Sequence, residues 1–134
     1  LATDVIAIQN PHPEFGLASS LNLALAQLSD VDAVIILLGD MPLVQRDTVV
    51  ALMEAFDPTA GAAMVYPVYK GKRGNPVLIG KRFFDELADL SGDQGARVLI
   101  DRYPHMIKEV PVNDRGTLID IDDPLGLERA LAFY

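Results

Sequence analysis

The sequence of 134 residues contains no cysteine, and basic residues are scarce. Without cysteine the chain can form neither disulfides nor thiolate metal sites, which fits a cytoplasmic protein. Lys and Arg number 11 against 19 Asp and Glu, so the net charge is −8. General nucleic-acid binding needs a basic face, which this composition does not supply. No apolar run reaches the length of a membrane span. We expect a cytoplasmic protein whose partners are neither nucleic acid nor membrane.

Half of the residues are hydrophobic, which is enough for one domain with a substantial core. Predicted strands alternate with predicted helices, a pattern typical of an α/β fold with a mainly parallel sheet. The predicted strands are 4–8, 34–38, 63–69, 76–79, 106–110 and 117–121, and the predicted helices are 16–28, 47–56, 82–90, 96–102 and 124–133.

The apolar run 34–38, rich in β-branched residues, predicts a central strand buried on both faces. The run ends at Gly39, Asp40 follows at once, and Pro42 prevents the strand from continuing. In open α/β sheets, ligands bind beyond the carboxyl ends of the strands. A carboxylate at that point suits a hard cation such as Mg²⁺. Alternatively Asp40 only caps a turn, and position alone does not separate the two.

A second acidic group, Asp120 and Asp122, flanks Ile121 near the C-terminus. Residues two apart on a strand share a face, so we expect both carboxylates to point the same way. Two like charges this close repel unless a cation or hydrogen-bond donors lie between them. The pair therefore favours a metal or a hydroxyl-rich ligand. The structural alternative, in which Asp122 and Asp123 cap the last helix, is the preferred one for Asp123.

Three polar segments are weaker candidates. The basic segment 70–75 is the densest cationic stretch, and a solvated hairpin is its simplest interpretation. The loop 92–97 leads into a helix, where backbone N–H groups and the Arg97 fork could hold an anion. Ser19 and Ser20 lie in the first turn of a predicted helix, where they could donate to a ligand or only cap the helix.

Five short motifs occur in a fixed order along nearly the whole chain. They are Gly16-Leu17-Ala18-Ser19-Ser20-Leu21, Gly39-Asp40-Met41-Pro42-Leu43, Gly74-Asn75-Pro76-Val77-Leu78, Gly92-Asp93-Gln94-Gly95-Ala96-Arg97 and Asp120-Ile121-Asp122-Asp123-Pro124. The ordered set resembles the molybdenum cofactor cytidylyltransferase branch of the MobA-like nucleotidyltransferases. The resemblance implies a Rossmann-like, glycosyltransferase-A-type α/β fold. It also implies transfer of CMP from CTP to the terminal phosphate of a molybdopterin-type cofactor, with Mg²⁺ and release of pyrophosphate.

The resemblance also implies roles for the acidic residues. Asp40 matches the metal-binding aspartate after the central strand, and Asp120 and Asp122 match the polar pair that faces nucleotide and metal. All three are expected metal ligands, and Asp40 and Asp122 are the expected catalytic pair. The chemistry asks little of side chains beyond positioning and charge neutralisation.

Four further residues are expected to bind the nucleotide or the acceptor. Ser19 and Ser20 fall where the family's loop approaches the base and ribose. Asn75 and Arg97 fall in segments that face the acceptor.

One family signature is missing from the sequence, the glycine-rich loop with Arg and Lys on the first strand. We therefore expect residues 1–134 to form a single domain that lacks this strand and loop, transfers little CMP and self-associates through the uncovered sheet. Three alternatives stay open. The chain is an enzyme that needs the missing segment, a related transferase that uses GTP or another acceptor, or a non-catalytic module that hands cofactor to a molybdoenzyme.

Overall fold

A computed structural model describes residues 4–132, which form five strands and five α-helices. The strands are β1 (Ala33–Ile36), β2 (Met64–Tyr69), β3 (Lys72–Arg73), β4 (Val77–Gly80) and β5 (Ile107–Pro111). The helices are α1 (Leu17–Leu25), α2 (Arg46–Ala55), α3 (Phe84–Ala88), α4 (Arg97–Arg102) and α5 (Pro124–Leu131). The α/β prediction is confirmed, and most predicted elements are present with bounds that are shorter or shifted by one residue. Phe133, the predicted end of the last helix, lies outside the described residues.

The strands form one mixed sheet. β4 lies between β1 and β2 and is antiparallel to both, whereas β5 is parallel to β2 on its other side. β1, β2 and β5 therefore run in one direction, and β4 runs against them together with β3. The register places Ile36 opposite Val77 and Met64 opposite Ile107. The carboxyl end of β1 is thus beside the start of β4, which brings the segment after Ile36 close to the segment before Val77.

Two sequence predictions about the first strands of the chain are wrong. Among residues 4–132, β1 pairs only with β4, and its four residues are half-buried, so it is an edge strand rather than a central one buried on both faces. The predicted strand 4–8 does not form, and Val5 and Ile6 are 56% and 70% exposed. β-branched residues favour a strand only where a neighbouring strand supplies hydrogen bonds and a packing surface.

The predicted strand 117–121 is also wrong. Residues Arg115–Leu118 form a 3₁₀ turn that begins at Asp114. The Asp114 carboxylate accepts from the Gly116 N–H at 2.9 Å, and the Thr117 hydroxyl donates to the Asp114 carbonyl at 2.8 Å. These short-range hydrogen bonds satisfy the backbone locally and compete successfully with a strand ladder.

The core consists of two apolar clusters, one on each face of the sheet, because neighbouring strand residues point to opposite faces. Met64 and Ile79 belong to the larger cluster, which includes buried side chains of α3 and α4. Val65 and Leu78 belong to the smaller cluster with Leu52 of α2. The sheet is thus covered by helices on both faces. Polar side chains that bind a ligand are therefore expected where the strands end.

Candidate metal and nucleotide site

Three carboxylates meet beyond the carboxyl end of β1. Asp40, Asp120 and Asp122 each offer one oxygen, and these oxygens all lie within 4.8 Å of one another. All three residues are exposed. The structure thus brings together the acidic residues that the sequence singled out, although their role as metal ligands stays a prediction.

A single backbone hydrogen bond joins the two segments that carry this acidic cluster. The Ile121 N–H donates to the Asp40 carbonyl at 2.6 Å. Because Asp120 and Asp122 flank Ile121, this hydrogen bond places both beside Asp40. Sequence reasoning placed the pair on one face of a strand, whereas the structure holds it on a segment without regular secondary structure after a 3₁₀ turn. The interpretation of Asp123 as the N-terminal cap of the last helix is confirmed, because its carboxylate accepts from the Gly126 N–H at 2.5 Å.

A cavity of about 240 Å³ opens beside the acidic cluster. Asp40 and Asp120 line it together with Arg73, Asn75 and Arg97. A second cavity of about 240 Å³ shares Arg73, Asn75 and Arg97, and its other walls are mainly apolar. Those apolar residues are Leu17, Leu21, Ile36, Leu38, Val77 and Ile100. The two cavities form a groove with carboxylates at one end, cations in the middle and an apolar pocket at the other end.

The two guanidinium groups in the groove differ in their surroundings. Arg73 lies 3.3 Å from an Asp101 carboxylate oxygen and 5.5 Å from the centre of the Tyr66 ring. For the Arg97 side chain, neither an ion pair nor a hydrogen bond is found within residues 4–132. In a protein of net charge −8, these two cations make the groove attractive to an anionic ligand. Sequence reasoning missed Arg73, because it read the whole basic segment as a solvated hairpin.

Asn75 is held at the groove by contacts with the turn before the acidic pair. Its N–H donates to the Thr117 carbonyl at 2.9 Å. A Cβ at Gly74 would lie 2.5 Å from that same carbonyl oxygen, so this close approach requires glycine. These backbone contacts thus hold Asn75 at the cavity that Arg73, Asp40 and Asp120 also line.

Ser19 and Ser20 lie in the first turn of α1, where their hydroxyls have partners of their own. Both accept from the Asn10 side-chain amide, at 2.8 and 3.1 Å, and Ser19 also donates to the Gly16 carbonyl at 2.8 Å. The α1 side chains that line the groove are Leu17 and Leu21. A role for the two serines in nucleotide binding stays a prediction.

Asp114 is a buried residue that sequence reasoning did not single out. Its side chain is 1% exposed, and it accepts hydrogen bonds from the Gln45 N–H, the Thr48 hydroxyl and the Gly116 N–H. Two of these partners are 69 and 66 positions away in the chain. No local sequence pattern indicates such distant pairs. The one local signal is the Asp-x-Gly turn that Asp114 forms with Gly116.

The ring of Tyr66 lies against the Arg73 guanidinium, and the pKa of the Tyr66 hydroxyl is raised. Burial raises the pKa of the Tyr66 hydroxyl, and its hydrogen bond to Glu109 at 2.7 Å raises it further. The hydroxyl therefore stays protonated and donates to Glu109, while the ring face stays available to the Arg73 guanidinium.

The donor set of the acidic cluster fits a hard divalent cation. It consists of carboxylate oxygens alone, which suit Mg²⁺ or Mn²⁺ better than softer metals. Two oxygens bound to one Mg²⁺ are about 3.0 Å apart when adjacent and about 4.2 Å apart when opposite. The three carboxylate oxygens lie within 4.8 Å of one another on exposed side chains, so rotamer adjustments can bring them to these separations.

Fold and site together define an α/β domain of the nucleotidyltransferase type. The chain belongs to the MobA-like NTP transferase domain family, which matches residues 1–107. NTP transferase domains typically use a divalent metal, in keeping with the acidic cluster. Among curated proteins, no relative of the chain is found.

Three solved structures show the same fold at 25–27% identity. The Mycobacterium sp. strain JC1 homologue of Mycobacterium tuberculosis Rv0371c is 27% identical with a TM-score of 0.73, and the match covers 88% of this chain and 58% of that one. Rv0371c of M. tuberculosis H37Rv in complex with manganese is 25% identical with a TM-score of 0.70, covering 86% and 61%. A further Rv0371c structure is 25% identical with a TM-score of 0.76, covering 98% and 67%.

The chain therefore spans about three fifths of the length of the first two relatives. The activity of those longer proteins is therefore not assigned to this chain. Within residues 4–132, none of the helices has the length and apolar character needed to cross a bilayer.

Proposed function

We propose that the domain transfers CMP from CTP to the terminal phosphate of a molybdopterin-type cofactor, with Mg²⁺ held by Asp40, Asp120 and Asp122. The observation that carries the proposal is the acidic cluster at the mouth of a groove with two arginines, in a MobA-like NTP transferase domain. The choice of CTP and of the acceptor rests on the resemblance of the five motifs.

In this proposal, the carboxylates act as ligands rather than as proton acceptors. When bound, the cation neutralises charge on the triphosphate and on the leaving group. Asp40 and Asp122 are the catalytic pair. They come from the two segments that the Ile121 N–H joins, so they can bind one cation from two sides. Asp120 completes the set and also faces the cavity.

The reaction is a substitution at phosphorus. An oxygen of the acceptor phosphate attacks the α-phosphorus of CTP and forms the new bond. The bond from that phosphorus to the oxygen bridging to the β-phosphate breaks, and pyrophosphate leaves with the electron pair. Most of the rate enhancement comes from alignment of the two phosphates and from charge neutralisation.

The two arginines and Asn75 hold the acceptor. Arg73 and Arg97 line both cavities, so an anionic group bound between them lies next to the acidic cluster. The Asn75 amide adds a neutral donor at the same place. The apolar pocket beyond takes the uncharged body of the acceptor, and Ser19 and Ser20 are assigned to the base and ribose.

Calorimetric titration of CTP in Mg²⁺ tests the proposal. We expect Mg²⁺-dependent binding of CTP, weaker binding of GTP, and loss of binding in Asp40→Ala. Glu128→Ala is the matched control, because it removes an exposed carboxylate in the middle of α5, outside the cluster. Equal CTP binding in EDTA, or in Asp40→Ala, would refute the metal assignment.

Turnover separates the remaining alternatives. CMP transfer is measured with CTP, Mg²⁺ and a molybdopterin-type acceptor, and weak transfer is the expected result for this chain. Tighter binding of GTP than of CTP would favour a related transferase. Binding of the acceptor without any nucleotide binding would favour the cofactor-handling module.

A further inference from the structure

The carboxylate of Asp114 joins the two chain segments that carry the acidic cluster. One oxygen accepts from the Gln45 N–H at 2.8 Å and from the Thr48 hydroxyl at 2.6 Å. The other accepts from the Gly116 N–H at 2.9 Å. Gln45 and Thr48 lie at the start of α2, just after Asp40, and Gly116 lies just before Asp120. We name Asp114 with these three donors the Asp114 cluster.

Two further contacts join the same segments between the Asp114 cluster and the metal ligands. Gly116 lies against Leu43 so closely that a Cβ there would be 2.2 Å from the Leu43 carbonyl oxygen. The Ile121 N–H donates to the Asp40 carbonyl. The two segments are therefore in contact from Asp114 through Gly116 to Ile121.

These contacts oppose the electrostatic repulsion among the three carboxylates of the acidic cluster. Asp40, Asp120 and Asp122 are exposed, their oxygens lie within 4.8 Å, and none of the hydrogen bonds or ion pairs found in residues 4–132 involves their side chains. Without a cation, the three charges push the two segments apart. The contacts that hold the segments together must come from elsewhere, and the Asp114 cluster is the buried part of them.

We propose that Asp114 is a positioning residue of the metal site, which sets the separation of Asp40 from Asp120 and Asp122 through its hydrogen bonds to both segments. The proposal rests on the proposed function, because it presumes that the three carboxylates bind a cation. Asp114 itself is enclosed and does not touch the ligand. A charged acceptor with three donors is suited to this task, because bonds to a carboxylate are stronger than neutral ones.

Mn²⁺ titration of the full chain measures the effect on the metal site. Asp114→Asn replaces one acceptor oxygen with a donor, and we expect it to weaken Mn²⁺ binding about tenfold, as is common for groups that orient metal ligands. Thr48→Val removes one donor at nearly constant volume and should also weaken Mn²⁺ binding. Thr48→Ser keeps the hydroxyl, so we expect its Mn²⁺ affinity to stay close to that of the wild-type protein. The Thr48 pair decides the question even where Asp114→Asn does not fold.

A stability control separates positioning from general loosening. Leu87→Ala removes a fully buried side chain of the larger core cluster and leaves every bond of the Asp114 cluster intact. We expect it to lower the melting temperature without changing the Mn²⁺ dissociation constant well below that temperature. An unchanged dissociation constant in both Asp114→Asn and Thr48→Val would overturn the proposal.

Amide hydrogen exchange tests the positioning without any metal. In EDTA, we expect the Ile121 N–H to exchange several times faster in Thr48→Val than in Thr48→Ser, with the amides of β2 unchanged. If the wild-type chain binds no Mn²⁺, the proposed function fails, and the Ile121 exchange rate alone decides the role of Asp114. Equal Ile121 exchange in the Thr48 pair would overturn that role.

Discussion

Replacing Asp40 with Asn should raise the stability of the metal-free protein and abolish its stabilisation by metal. At a separation of 4.8 Å in water, two unit charges repel by about 0.9 kcal/mol, and physiological salt halves this. Asp40 takes part in two such pairs, so its neutralisation relieves about 1 kcal/mol. Asn keeps the size of the side chain and the backbone carbonyl that accepts from Ile121. For a domain of this size, the melting temperature should rise by about 4 °C in EDTA.

Metal should reverse this order. A cation at one hundred times its dissociation constant stabilises the wild-type protein by about 2.7 kcal/mol. The Asp40→Asn variant gains little, so in saturating Mn²⁺ the wild-type protein should be more stable by about 2 kcal/mol. Thermal unfolding in EDTA and in Mn²⁺, for both proteins, measures the two differences.

Glu128→Gln is the matched control, since it changes the net charge equally and lies outside the cluster. We expect it to melt close to the wild-type temperature in EDTA and to keep the full gain from Mn²⁺. The reasoning is refuted if Asp40→Asn melts below the wild-type protein in EDTA, or if Mn²⁺ stabilises both to the same extent.

Four other substitutions test the packing, the pH dependence and the anion site. Gly116→Ala forces a methyl group against a backbone carbonyl and should lower the free energy of unfolding by about 1–3 kcal/mol in urea. Gly39→Ala, with open space around its Cβ, should be nearly neutral, and equal effects of the two would contradict the packing argument. The hydrogen bond from Tyr103 lowers the pKa of Glu86 from its ordinary 4.5, so the stability that Glu86 contributes is present above about pH 4.5 and lost as the pH falls through the lowered pKa. Glu86→Gln should flatten the unfolding free energy against pH below about 4.5, and an unchanged acid slope would contradict this. Arg97→Ala should weaken binding of an anionic acceptor and leave Mn²⁺ binding intact, and loss of Mn²⁺ binding would argue against the assigned roles.

The sequence predicted the elements whose residues pack against the sheet. Leu52 and Leu87 lie on helices that the sequence predicts, and both are fully buried. Helical periodicity carries this information locally, so it can be read without knowing the fold. The bounds differ by a few residues, because helix ends depend on capping contacts that the pattern does not contain.

The predicted strands 4–8 and 117–121 failed for a different reason. Alternating or β-branched residues indicate that a segment could pair, but pairing depends on a neighbour that the segment itself does not specify. At 117–121 the Asp114 side chain provides local hydrogen bonds, and the Ile121 N–H bonds to the Asp40 carbonyl rather than to a strand.

The acidic residues of the candidate site could be predicted from the sequence, whereas the residues that surround and position them could not. Asp40, Asp120 and Asp122 stand out because charges at the end of an apolar run, or two apart, are informative in themselves. Asp114 and Arg73 do not stand out, because their contacts with Gln45, Thr48 and Tyr66 depend on the tertiary fold. Groups that orient ligands are commonly of this kind.

A crystal structure grown with Mn²⁺, with its anomalous difference map, is the most direct test that the acidic cluster is a cation site. The account predicts one dominant peak about 2.2 Å from an oxygen of each of Asp40, Asp120 and Asp122. A map in which the manganese lies at other carboxylates, while these three side chains keep their places without it, would contradict the account.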